Sequence, residues 1–136
     1  MIDNLFKNTK ILEKAVDASW MRNGAISQNI ANVDTPGYKR VDVPFEDYLS
    51  KAMDNAGTSD TVSGGYTPVD AVDVDNIDLK VQTDNSSSLS MRIDGNNVDP
   101  DSEMAALAKN SIRYNVLIQS MNSEFRRLRT AITEGR

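Results

Sequence analysis

Carboxylates are the side chains most able to build a chemical site here: the sequence has 20 Asp and Glu, 15 Lys and Arg, and no His or Cys. Clustered aspartates can hold a hard divalent cation through oxygen ligands. Asp70, Asp73, Asp75 and Asp78 form one cluster, and Asp94-Gly95-Asn96-Asn97-Val98-Asp99 faintly follows the start of a calcium loop. The second fails on position. An EF-hand opened at Asp94 needs glycine sixth and a bidentate glutamate twelfth, where Asp99 and Ala105 stand. Solvent-facing aspartates on strands and turns are the stronger reading, and no metal site is expected. Without imidazole or thiol, nucleophilic catalysis would need a Ser–Lys pair, and no serine has a lysine three residues on. Gly64-Gly65 does not lead into a Gly-Lys-Ser/Thr phosphate loop. These absences point to a chain that is not an enzyme, with no cofactor and no small-molecule substrate.

Charge excludes a further class. Residues 1–50 carry −1, residues 51–100 carry −6 and residues 101–136 carry +2. An acidic middle argues against nucleic acid as a partner. Arg126, Arg127 and Arg129 read as a solvated helix face or as salt-bridge partners. Tyr38, Lys39 and Arg40 read as a tyrosine packed beside a turn with its two charges left wet. No apolar run is long enough to span a bilayer. The N-terminus, Met-Ile-Asp-Asn-Leu-Phe-Lys, lacks the pattern of a cleaved secretory signal.

The elements that must position these groups are legible in the spacing. Leu5, Thr9, Leu12, Val16, Ser19, Asn23, Ile26, Ile30 and Val33 recur at four- and three-residue steps. Met104, Leu107, Ser111, Tyr114, Ile118, Met121, Phe125, Leu128 and Ile132 do the same near the other end. The spacing predicts a mainly α chain whose long N- and C-terminal helices pack as a coiled-coil-like pair. A broad core face in an ordinary helical hairpin fits the same periodicity. Phe6, Ile11, Trp20 and Met21, with Ile112, Val116 and Leu117, lie off the seam and give each helix a second apolar edge. Gly24 weakens the first helix by about 1 kcal/mol relative to alanine. With three Phe, four Tyr and one Trp, a deep core within one chain is not expected unless neighbouring chains complete it.

The first helix is expected over 1–35, where Pro36 biases Thr35 away from the helical region. Pro36-Gly37 then suits the centre of a type II turn. Residues 36–98 are expected to hold that turn, a short helix opened by Pro44, a loop over 54–68 and a β-hairpin. The hairpin's arms are the alternations Ile77, Leu79, Val81 and Leu89, Met91, Ile93. The last helix is expected over 99–136, with Asp99 as N-cap and Pro100 at its first position. Asp101 and Glu103 then sit at the positive end of its dipole.

Ala31-Asn32-Val33-Asp34-Thr35-Pro36-Gly37-Tyr38, preceded by Ser27-Gln28-Asn29-Ile30, resembles the segment that ends the N-terminal helix in the flagellar basal-body rod protein family. The run from Asp94 into Glu103-Met104-Ala105, and the apolar positions from Tyr114 to Ile132, extend the resemblance. It covers both ends of the chain and leaves about 50–88 unmatched. It implies a structural subunit of the flagellar basal body, exported without a cleaved signal and assembled helically at the proximal rod. There it would join the export-gate and membrane-ring base to the drive shaft. Its partners would be copies of itself and other flagellar rod and export-gate or junction proteins. By the same resemblance Asn29, Ala31, Asn32, Thr35, Pro36, Gly37 and Tyr38 form an assembly motif. Leu5, Leu12, Val16, Ile26, Ile30, Val33, Met104, Leu107, Tyr114, Ile118, Met121, Phe125, Leu128 and Ile132 become subunit-packing positions. A soluble helical-hairpin adaptor or export chaperone is the alternative from a different class.

Overall fold

A computed structural model of the chain describes residues 2–57, 74, 75, 77–83 and 93–134. Its elements in order are helix α1 (Ile2–Ala31), strand β1 (Val41–Asp42), helix α2 (Phe45–Gly57), strand β2 (Gln82–Thr83) and helix α3 (Pro100–Glu134). The chain is mainly helical, as the two periodic segments require. Asp99 caps α3 as expected: its Oδ1 accepts from the Asp101 backbone amide at 3.2 Å, and its carbonyl accepts from Glu103 at 3.0 Å.

Three expectations shift. α1 stops at Ala31, and residues 32–35 are turns that close on themselves through Val33 N to Ile30 O and Thr35 N to Asn32 O. α2 runs on through Asp54–Gly57, the first residues of the expected loop, and the rest of that loop lies outside the described residues. The middle holds a two-stranded antiparallel sheet in which Val41 faces Thr83 and Asp42 faces Gln82. β2 thus takes its partner from far back in the chain. Leu89 and Met91, the second arm of the expected hairpin, lie outside the described residues.

The chain divides into two compact units, and each long helix contributes to both. In the first unit, formed by Met1–Asp17, Phe45–Asp78 and Asn115–Arg136, the short stretch around Val74 and Ile77 lies against α1. Both side chains are buried, Lys10 Nζ pairs with Asp75 at 2.7 Å, and Lys14 Nζ donates to the Ile77 carbonyl at 3.2 Å. In the second unit, Ala18–Pro44 with Leu79–Tyr114, α1 and α3 run antiparallel. Asn29 there meets Glu103, and Ser19 meets Asn110.

The buried edge of α1 in the second unit is Ala18, Ser19, Ala25, Ile26 and Asn29, of which the small Ala18, Ser19 and Ala25 let the partner helix come close. α3 answers with Glu103 and Asn110, each one residue before the expected seam positions Met104 and Ser111, which are exposed. A buried heptad made of polar residues is invisible to a search for apolar ones. Val43 and Val98 complete this core, each contributing about 1.5–3 kcal/mol by burial.

Candidate functional site

The end of α1 is held by the loop Asp94–Asp99 that leads into α3. Past Ala31 the helix leaves carbonyls without amide partners. Asn32 begins the closure: its backbone amide reaches Gln28 O and Asn29 O, and its Nδ2 donates to Gln28 O at 2.8 Å. Thr35 Oγ1 donates to Asn32 Oδ1 at 3.2 Å. Asn96, fully buried, supplies the rest. Its Nδ2 lies 3.0, 2.9 and 3.0 Å from the carbonyls of Asn32, Val33 and Thr35. Its Oδ1 accepts from Val98 N at 2.8 Å, so Asn96 shapes its own loop with one end and caps the corner with the other.

Pro36-Gly37 forms the expected turn. Tyr38 N donates to Thr35 O at 3.3 Å and Gly37 has φ 72°, as a type II turn requires. Gly37 N donates to Asp94 O at 2.9 Å, and Gly95, packed against Gly37, takes φ 79°, a backbone conformation that favours glycine. Nothing lies within 4 Å of where a Gly37 Cβ would stand, so a substitution there meets backbone strain and no clash. Gly37→Ala is expected to cost about 1–2 kcal/mol through the left-handed backbone alone, while Gly37→Asn costs clearly less. Denaturant unfolding of the two variants checks this, and equal losses would mean that the turn does not need the positive φ.

Behind the turn, Asn29 uses its whole amide. Its Nδ2 donates to Val41 O at 2.9 Å and to Glu103 Oε2 at 3.1 Å; its Oδ1 accepts from Val41 N at 2.9 Å and from the Tyr38 hydroxyl at 3.3 Å. Glu103 Oε1 accepts from Arg40 Nε at 2.6 Å, with Glu103 only 1% exposed. Arg40 also lies 3.5 Å from Asp42, and its backbone amide donates to Asn97 Oδ1 at 2.7 Å. Arg40 is therefore not the wet charge that its neighbours in sequence suggest. Its guanidinium pairs with a carboxylate that α3 places in a buried position. Lys39 does stay exposed, with Nζ donating to Gly95 O at 2.9 Å. Arg22 adds a tie from mid-α1, with Nη2 donating to Val43 O at 2.6 Å.

Burial first, and the nearby Glu103 carboxylate second, hold the Tyr38 phenol above its ordinary value of 10.0. A raised folded value means the Tyr38 contribution is complete below pH 10.0 and is lost as pH rises through the raised value. The unfolding midpoint of the parent should therefore fall more steeply in that alkaline range than that of Tyr38→Phe. Parallel curves would show that the phenol is not part of the network.

The structure brings together Asn29, Asn32, Thr35, Gly37 and Tyr38 of the expected motif, with Ala31 and Pro36 exposed beside them. Of the expected packing positions, Ile26 is buried, and Leu12, Val16, Ile30, Val33, Leu107, Tyr114, Ile118, Met121 and Leu128 are half-buried. Met104, Phe125 and Ile132 are exposed, and the Leu5 side chain lies outside the described residues. Arg40, Asn96, Glu103 and Asn110 were missed as partners. The Asp-Gly-Asn-Asn stretch is the one available signal: it fails as a cation loop and carries part of the family resemblance. Among the described residues no three acidic side chains gather at metal-binding distance. Nor is any described helix long and apolar enough to cross a membrane. What the arrangement does chemically is satisfy buried polar groups so that one backbone corner has one geometry.

Comparison with known proteins falls on the same residues. The model of the flagella basal body rod protein family matches residues 25–39, the end of α1 and the corner. The chain is 36% identical over 134 residues to the flagellar basal body rod protein FlgB of Bacillus subtilis, covering 98% of this chain and 99% of that one. It is 30% identical over 141 residues to FlgB of Salmonella typhimurium, covering 99% of each. It is 34% identical over 110 residues to FlgB of Borreliella burgdorferi, covering 75% of this chain and 78% of that one.

Proposed function

This chain belongs to the FlgB family of flagellar basal body rod proteins, and from that premise we propose that it assembles helically at the proximal rod. There it joins the export-gate and membrane-ring base to the drive shaft, and its contacts are copies of itself and neighbouring rod and junction proteins. It is delivered through the flagellar export channel and performs no catalysis. The locked corner aims α1, and the neighbours complete the helices that α1 and α3 begin.

The observation that carries this reading is the apolar surface left on both long helices. Phe6 and Trp20 on α1 are 54% and 70% exposed; Ile112, Val116 and Ile132 on α3 are 67%, 55% and 78% exposed. Apolar side chains repeated along a helix and left in water mark surfaces that another protein covers. A marginal α1, weakened by Gly24 and carrying buried Asn29, also suits a chain that is exported unfolded and orders on docking.

Ile112 and Val116 share one face of α3, four residues apart. Ile112→Glu with Val116→Glu should leave the isolated chain within about 0.5 kcal/mol of the parent, as surface changes do. The amount of chain recovered in purified basal bodies, and swimming, should fall at least about tenfold, since two buried charges at an interface cost several kcal/mol. Normal incorporation of a normally folded double variant would sink the proposal.

A further inference from the structure

Each long helix carries a row of exposed side chains on its outer side. Along α1 the row is Asp17, Trp20, Gly24, Ser27 and Ala31, at three- and four-residue steps, with Asp34 exposed in the turn beyond. Along α3 it is Lys109, Ile112, Val116, Gln119, Ser123 and Arg126, at the same steps. An acid closes each end of the first row, and a base closes each end of the second. None of these four charges has an ion-pair partner among the described residues. Asp17 and Asp34 are as many residues apart as Lys109 and Arg126, so the two rows match in length.

On the reading of the chain as a rod subunit, we infer that the α1 row of one copy takes the α3 row of a second copy, antiparallel and in one register. Asp34 meets Lys109 at one end, and Asp17 meets Arg126 at the other. Between them each large side chain faces a small one: Ile112 lies over Ala31, Val116 over Ser27, and Trp20 over Ser123. Gln119 reaches Gly24. There an open groove of about 570 Å³ lies among Trp20, Gln28, Val81 and Leu107, and nothing stands within 4 Å of an added Cβ. That groove gives a reason for a glycine that weakens its own helix. A parallel alignment matches the charges too, but it sets Trp20 on Ile112 and Ala31 on Ser123. Large then meets large and small meets small, and the two helices cannot keep one spacing. Within the second unit α1 and α3 run antiparallel, so copies stacked in one orientation present these rows to each other antiparallel. The contact is heterologous: each copy keeps its own α3 row for the next, and the assembly extends as a helix.

The chain has no cysteine, so introduced thiols report cleanly. Ala31→Cys and Ile112→Cys are placed on separate copies with different tags, produced together in cells, so that only a bond between copies can form. Oxidation of the purified basal bodies should give a disulfide that joins the two tags. No such bond should form when Ser123→Cys replaces Ile112→Cys, the pair that a parallel alignment would set together. Both copies present in basal bodies with no bond, or a bond through Ser123→Cys instead, overturns the pairing and leaves rod assembly untouched. A parent chain missing from basal bodies sinks the rod assignment, and the pairing with it. If the cysteine copies do not incorporate, charge reversal decides. Lys109→Asp alone should lower incorporation at least about tenfold, since like charges facing across an interface are strongly disfavoured, and adding Asp34→Lys should restore it. No recovery in the double variant overturns the pairing.

Discussion

Arg40→Ala is expected to destabilise the second unit by about 3–5 kcal/mol, the range for removing one partner of a buried ion pair. Glu103 is 1% exposed and would keep one neutral donor, Asn29 Nδ2 at 3.1 Å, in place of a guanidinium at 2.6 Å. Domains of this size hold roughly 5–15 kcal/mol in total, so such a loss would open the corner in a sizeable fraction of molecules. The cause is the stranded charge, and a second substitution isolates it. Glu103→Gln in the Arg40→Ala background should recover at least half of the loss, because a neutral amide needs no counter-charge and can still accept from Asn29. Denaturant unfolding, with amide exchange followed over residues 29–41, gives both values. A loss under about 1 kcal/mol, or no recovery in the double variant, would show that the pair is a surface interaction of small worth.

Asn96→Asp should be comparably severe for a different reason. Three carbonyl oxygens stand within 3.0 Å of Asn96 Nδ2, and aspartate would face them with an acceptor. Each lost hydrogen bond costs about 1 kcal/mol, and an unpaired buried charge adds more, so a total of about 4 kcal/mol is expected at neutral pH. The Val98 N contact survives, since the aspartate keeps the oxygen that accepts it. Protonation restores a donor. The aspartate's folded pKa would be raised by burial among acceptors, so the variant recovers as pH falls through that raised value. Asn96→Ala loses the bonds without gaining a charge, and should cost about 2–3 kcal/mol with no such recovery. If the two variants behaved alike across pH, the Asn96 amide would not be the cap of α1.

Both substitutions fall on residues whose importance was not visible in one dimension, and the reason is the same for each. Asn96 lies 61–64 residues from the carbonyls it caps, and Glu103 lies 63 residues from Arg40. Nothing local distinguishes such residues from the solvated ones beside them. Arg40 follows Lys39, which does stay exposed, and no composition rule separates the two. Glu103 was read as a dipole-complementing residue of the first helical turn. That role is real in kind, but it would have left the carboxylate in water. On α3 the apolar periodicity runs through Met104, broken only at Ser111, while the polar pair Glu103 and Asn110, each one residue earlier, is what faces α1 in the second unit. The exposed Met104, Phe125 and Ile132 kept their apolar character without an inward role in this chain.

What the sequence determined by itself was everything set by neighbours in the chain. Helix periodicity needs only the spacing of apolar residues, the Asp99-Pro100 start needs only two adjacent types, and the Thr35–Tyr38 turn needs proline followed by glycine. These are short-range steric and hydrogen-bonding preferences, and their energies are decided within a few residues. Tertiary structure decided where the buried polar groups find partners. It paired β1 with β2, turned a failed cation loop into the cap of α1, and placed a carboxylate of α3 under the corner. A buried amide or carboxylate is stable only against its complement, and that complement is chosen by the path of the whole chain.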